Sequence, residues 1–288
     1  MKEKQISTTA RGIAAIRAIE SEKPAEERIC CDPFARKFTD TSFYLLSKLF
    51  AGYGEKVAPG VQGFILCRCR YIDDYLRECL ESGTKQLVIL GAGLDSRAYR
   101  DEVQQSKIKI FEVDHPTTQV HKIERIKKIF GRIPPGVIYI PIDFDNETLD
   151  KILANGFDQS LKTLFIWEGV TYYLDAATID ATLSWIRANA APGSAIIFDY
   201  VYVSALTAEH KRGEIKRMQR YQRLTGEELV FGVEKGKIED FLTVRGFTNA
   251  VDVDAEQLRR LYCTGPNQNR KVAEIYAIVH AEIMENRR

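Results

Sequence analysis

Three acidic residues stand where short apolar runs end: Asp114 after KIFEV, Asp143 after VIYIPI and Glu168 after TLFIW. A fourth run, QLVIL, ends at Gly91-Ala92-Gly93, followed by Leu94-Asp95-Ser96-Arg97. Glycines directly after a strand let a ligand approach the backbone closely. Asp114 follows Gly93 by 21 residues, about the separation at which an acid meets a ribose diol. The pattern suits a nucleoside. A dinucleotide would want a third glycine, so that a helix N-terminus can face the pyrophosphate, and that position is Arg97. Asp95 would repel a pyrophosphate but can help hold an ammonium group. The combination favours S-adenosyl-L-methionine, a nucleoside carrying a zwitterionic amino acid, over NAD. In that reading Asp143 accepts from the adenine amino group, Phe144 packs on the ring, and Glu168 pairs with the methionine ammonium.

These residues need a frame that brings strand ends to one crevice. The runs at 86–90, 109–113, 137–142, 163–167 and 194–202 are short, apolar and β-rich. Helical periodicity fills the stretches 117–130, 147–155 and 176–190, the last with Ile179, Leu183, Ile186 and Ala190 on one face. Fully apolar strands alternating with helices imply a parallel sheet with right-handed crossovers. Upstream, residues 7–21 predict a helix with Ile13, Ile16 and Ile19 near one face. A longer helix at 61–82 carries Ile65, Cys69, Ile72, Leu76 and Cys79 as one stripe and stops at Gly83. Two last strands, in FTNAVDVD and KVAEIYAIVHAEI, predict one antiparallel member of the sheet. The expected fold is α/β, a class I methyltransferase (Rossmann-like) sheet of seven mostly parallel strands with N-terminal helices and an inserted helical cap. It forms a single domain: an N-terminal helical segment at 1–83, a nucleotide-binding core at 84–202, a cap at 203–235 and final strands at 236–288.

Bulk properties exclude several classes. The chain has 288 residues, 45% hydrophobic and 28% charged, with a net charge of +1. That balance offers no long-range field for nucleic acid or a membrane surface. There is no 18-residue apolar run, and MKEKQISTTARG lacks the apolar core of a signal peptide, so a cytoplasmic location is expected. The six cysteines form no C-x-x-C pair and read as small buried hydrophobes, with no metal site. A homo-oligomer is left open.

The stretches RCRYIDDYL (68–76), QLVILGAGLDSRAYR (86–100), FEVDHP (111–116), IDF (142–144), FIWEGVTYYL (165–174) and PGSAIIFDY (192–200) resemble the leucine carboxyl methyltransferase family. TARGIAAIRAIES (9–21) and DPFA (32–35) are similar to its small-molecule branch, the tetracenomycin-type polyketide O-methyltransferases. The resemblance spans residues 8–280, loosely over 203–235. It implies that Arg68 holds the methionine carboxylate, that the Gly91–Ala92–Gly93 turn and Asp95 lie against the cofactor, and that Asp114, Asp143, Phe144 and Glu168 take the roles given above. Arg11, on the N-terminal helix, is the nearest match to a basic residue that covers the cofactor. Tyr172 and Tyr173 are expected to line the methyl end of the pocket, and His210 is the candidate base if the acceptor needs one. The expected acceptor is a hydroxyl or carboxyl of a small molecule. The alternatives are a protein's C-terminal leucine carboxylate, or cofactor binding without catalysis.

Overall fold

β-Branched and aromatic side chains fill both faces of the central strands, and every residue of β1 (Gln86–Leu90), β4 (Thr163–Trp167) and β5 (Ala195–Val201) is buried. They belong to a computed structural model that describes residues 8–144, 147–206 and 228–284. With β2 (Lys109–Asp114), β3 (Val137–Pro141), β6 (Phe247–Asp254) and β7 (Tyr276–Ile283) they make a seven-stranded sheet in the order β3-β2-β1-β4-β5-β7-β6. β1 to β5 pair in parallel, while β7 runs antiparallel between β5 and β6. This is the expected sheet, with its one reversed strand.

The helices sort onto the two faces by the period-2 alternation of the strands. They are α1 (Thr8–Ser21), α2 (Ala35–Phe38), α3 (Thr41–Leu49), α4 (Ala51–Val57), α5 (Val61–Glu81), α6 (Asp101–Gln105), α7 (Pro116–Phe130), α8 (Asp150–Ala154) and α9 (Ala176–Asn189), with two more at Ile238–Thr243 and Ala255–Tyr262. Leu87, Ile89, Leu164 and Ile166 share a core with Cys69, Ile72 and Leu76 of α5. Val88, Leu90, Phe165 and Trp167 share the other with Ile179, Leu183 and Ile186 of α9. The α5 stripe ends as expected, with Gly83 at φ +92° just past the helix.

Two details differ from expectation. On α1 the isoleucines are only half-buried, and the buried positions are Ala14, Ala15, Arg17, Ala18 and Glu20. The helix predicted over 147–155 begins at Asp150, and ahead of it the Glu147 carboxylate accepts from the Asp143 N–H at 3.0 Å. Most of the predicted cap, 207–227, lies outside the described residues. Five of the cysteines are buried, Cys31 is exposed, and all six are free. Among the described residues no helix is long and apolar enough to cross a membrane.

The chain leaves β1 outward to β2 and β3 and returns through β4 on the other side. A crevice therefore opens at the carboxyl ends of β1 and β4, where strand order reverses.

Candidate active site

The turn after β1 is built for close approach. Gly91 and Gly93 have φ of +65° and +41°, a region that costs any residue with a Cβ. Its carbonyls and amides are tied down from behind: Ala92 N–H donates to Val113 O at 3.0 Å, and Lys122 Nζ donates to Ala92 O at 3.2 Å. Asp114, closing β2, accepts from the N–H groups of Gly93 and of His115. Burial pushes its carboxyl above the ordinary range, with those two N–H groups offsetting part of the rise.

Beside the turn lies a cavity of about 340 Å³, lined by α1, the Gly91–Asp95 turn, Asp114, Phe144, Glu168 and Tyr173. One wall of it is the edge of a buried charge network. Arg68 of α5 meets Glu168 at 2.9 Å and Asp199 of β5 at 2.5 Å. Arg97 meets Glu168 at 2.6 Å, Asp95 at 2.5 Å and Asp73 at 2.6 Å. Asp73 continues to Arg100 at 2.7 Å, and Asp32 lies 3.6 Å from Arg100 and 3.5 Å from Arg17. All nine side chains are at least nine-tenths buried. Burial alone would raise the Glu168 carboxyl, but Arg97 and Arg68 outweigh it and hold Glu168 well below the usual carboxylate range. Arg68, Arg17, Asp95 and Glu168 reach the cavity; Arg97 and Asp199 stand behind them.

The structure brings most of the expected residues together and moves some apart. Arg68, Gly91, Ala92, Gly93, Asp95, Asp114, Phe144, Glu168 and Tyr173 all line the cavity. Arg11 does not: it pairs with Asp40 at 3.2 Å and stacks on Phe43. The α1 arginine at the cavity is Arg17, which donates to Leu94 O at 2.8 Å. Thr9, Ile13 and Arg17, at steps of four, form one stripe of α1 along the wall, and Arg11 lies off that stripe. Asp143 is not a lining residue, although its neighbour Phe144 is. Tyr172 is also not at the wall. Its hydroxyl sits in the core within 3.3 Å of both Arg68 Nη1 and Asp199 Oδ2. His210 lies outside the described residues. Sequence reasoning missed Arg17 at the cavity and the network's second tier, Arg97, Asp199 and Asp73, although each sits inside a motif it had quoted.

A second buried ion pair supports the turn from below. Lys122 of α7 meets Glu112 at 2.9 Å, and Tyr99 donates to the same carboxylate at 2.8 Å. Burial wins over both partners and lifts the Glu112 carboxyl from 4.5 to about 7. Because the folded-state value is the higher one, its stabilising contribution is full below pH 4.5 and is lost as pH rises through about 7. The Glu112→Gln variant should therefore show a smaller fall in melting temperature than the parent between pH 5 and 8, measured by calorimetry.

The sheet order, with its crevice at the strand reversal, is that of a class I S-adenosylmethionine-dependent methyltransferase, and together with its relatives it makes this chain one. It belongs to the leucine carboxyl methyltransferase family, whose model matches residues 10–187. A Bacillus subtilis protein with the provisional name S-adenosyl-L-methionine-dependent methyltransferase YktD is 30% identical over 217 residues, 75% of this chain and 71% of that one. A Mycobacterium ulcerans protein of the same provisional name is 28% identical over 277 residues, 88% and 87% of the two chains. Among solved structures, a provisionally named methyltransferase from Thermobifida fusca superposes with a TM-score of 0.62 at 16% identity, covering 97% of this chain and 96% of that one. A DUF574-family protein from Streptomyces avermitilis gives 0.60 at 12%, covering 92% and 99%. These two bear on the fold.

Proposed function

We propose that the enzyme methylates a hydroxyl or carboxyl oxygen of a small, polyketide-like molecule, with S-adenosylmethionine held in the β1–β4 crevice. The observation that carries the cofactor's placement is the convergence of the glycine turn, Asp114 and the Arg68–Glu168 pair on one cavity. The donor set fits the cofactor: acceptor oxygens for a ribose diol at Asp114, an aromatic face at Phe144 with Asp143 beside it, a cation for the methionine carboxylate at Arg68 and an anion for its ammonium at Glu168. Asp95 and the Gly91–Ala92–Gly93 backbone complete that wall, and Arg17 takes the place first assigned to Arg11.

When bound, the sulfonium supplies a methyl group already activated for one-step displacement. The protein's part is to orient the two reactants and exclude water. Arg68 and Glu168 are held in place by Asp199 and Arg97, so neither depends on the ligand for its position. Ile13, Val170 and Tyr173 give the cavity an apolar wall suited to a small organic acceptor. A carboxylate acceptor is ionised at neutral pH and needs no base, whereas a phenol, with a pKa near 10, would benefit from one. Tyr172 is unsuited to that task, because burial holds its hydroxyl well above its ordinary value. His210 remains the proposed base for a hydroxyl acceptor.

The family name supports a second reading, methylation of a C-terminal leucine carboxylate. Incubation with methyl-labelled cofactor and either a panel of small phenols and carboxylic acids or a protein extract decides between them. Label in the organic fraction supports the first reading, and label in precipitated protein the second.

Asp114→Asn tests the placement of the cofactor. It should weaken cofactor binding about 10- to 100-fold, the worth of a charged hydrogen-bonding partner. Asparagine keeps one acceptor oxygen but turns its NH2 toward the other of the two N–H groups that the carboxylate satisfies, Gly93 or His115, so the variant should also melt lower than the parent, by the equivalent of about 1–3 kcal/mol. Titration calorimetry and a thermal scan check the two halves.

A further inference from the structure

The buried network beside the cavity does not balance. Arg17, Arg68, Arg97 and Arg100 face five carboxylates, Asp32, Asp73, Asp95, Glu168 and Asp199. The contacts allow each arginine its own acid: Arg17 with Asp32, Arg100 with Asp73, Arg97 with Asp95 and Arg68 with Asp199. One acid is left over, and two of the five, Asp95 and Glu168, reach the cavity. Asp199 makes the surplus. It is fully buried, does not line the cavity, and is fixed by the Gly169 N–H at 2.6 Å and by Arg68 at 2.5 Å. Without its charge, Arg68 would belong wholly to Glu168 and the surplus would vanish. Among the described residues the other charges near the cavity do not cancel it, and Glu228 on the wall is a further acid. Asp114 adds a further carboxylate on the wall, and Glu112 and Lys122 balance one another behind the turn.

We propose that this surplus negative charge, set by Asp199 through Arg68, makes the site discriminate by charge, favouring the sulfonium cofactor over its thioether product. The inference rests on the reading that the cavity takes S-adenosylmethionine. The amino-acid end of either ligand is a zwitterion and exchanges one neutral ion pair for another at Arg68 and Glu168. What differs is the sulfur. In methyl transfer the methyl carbon bonds to the acceptor oxygen, the carbon–sulfur bond breaks, and its electron pair stays on sulfur. The ligand thereby passes from a net charge of plus one to neutral. A buried, weakly screened carboxylate holds the first form and releases the second. Asp199 is on this view a positioning residue that acts through another side chain and through its charge.

The test is titration calorimetry of both S-adenosylmethionine and S-adenosylhomocysteine on the parent protein, Asp199→Asn and Asp73→Asn. Geometric damage to the clamp weakens both ligands alike, since they share every contact except the methyl group. Loss of charge weakens only the sulfonium. The expected result for Asp199→Asn is a fall of about tenfold in preference for the sulfonium form, with the homocysteine affinity changed by less than about threefold. Asp73 lies at the other end of Arg97, away from the cavity, and Asp73→Asn should move the ratio in the same direction. It decides the matter if Asp199→Asn does not fold. An unchanged ratio, or equal weakening of both ligands, overturns the proposal and leaves the cofactor assignment standing. If the parent binds neither ligand, the cofactor assignment falls and the charge mechanism falls with it.

Discussion

Replacing Arg97 with leucine is expected to remove most of the protein's stability. Its guanidinium is fully buried and serves three carboxylates, Asp73, Asp95 and Glu168, at 2.5 to 2.6 Å. Removing one partner of a buried pair costs about 3–5 kcal/mol, because the abandoned charge cannot return to water. Here three acids lose a partner at once, and only Asp73 and Glu168 retain another arginine. Against a total stability of about 5–15 kcal/mol, the variant should unfold at a far lower denaturant concentration, or fail to accumulate. Lysine should not rescue it, since a single ammonium cannot reproduce the planar fork that reaches three acids in different directions. Arg11→Ala makes the contrast. Its pair with Asp40 is more than a third exposed on both sides, so the loss should stay within about 1 kcal/mol, with cofactor affinity unchanged. Denaturant titration of the three variants measures the difference.

That contrast also marks how far the sequence could be read. The strands were legible because QLVIL, TLFIW and AIIFDYV are mostly apolar on both faces, and burial of both faces admits few arrangements other than a covered parallel sheet. Gly91, Gly93, Asp114 and Glu168 were legible because a strand end fixes where a side chain can reach. The second tier was not. Arg97 sits two residues from Asp95 but also meets Asp73 and Glu168, 24 and 71 residues away. Asp199 meets Arg68 across 131 residues. Such pairings depend on how α5 crosses the sheet, which periodicity cannot give. Arg97 was noticed only as an absent glycine, whereas its guanidinium is buried among Asp73, Asp95 and Glu168. On α1 the choice between Arg11 and Arg17 was available in principle, since only Arg17 continues the step of four from Thr9 and Ile13. Arg11 was taken instead as the nearest match to the family's basic residue, whereas the alanines beside Arg17 are the ones that pack tightly.

Gly91→Ala should disable the cofactor turn, and the loss divides into two parts that can be measured separately. A Cβ at position 91 would lie 2.4 Å from Val170 Cγ2, and the backbone there has φ +65°. The left-handed conformation alone costs a residue with a Cβ about 1–2 kcal/mol. The clash adds to this, because Val170 is β-branched and stiff at χ1 and cannot swing its methyl aside cheaply. Relief by moving the turn instead would carry Gly93 away from the Asp114 carboxylate that accepts from its N–H. Cofactor affinity should therefore fall by at least about tenfold, the equivalent of 1.4 kcal/mol, and further if the turn yields. Val170→Ala removes the methyl in the way. In a double-mutant cycle the pair Gly91→Ala and Val170→Ala should recover the steric share of the loss and leave the backbone share in place. Full recovery would mean that the left-handed conformation is dispensable. No recovery would mean that the turn's shape, held by Lys122 on the Ala92 carbonyl and by Asp114 on Gly93, tolerates no Cβ whatever its neighbour. Titration calorimetry on the four proteins of the cycle distinguishes the three results.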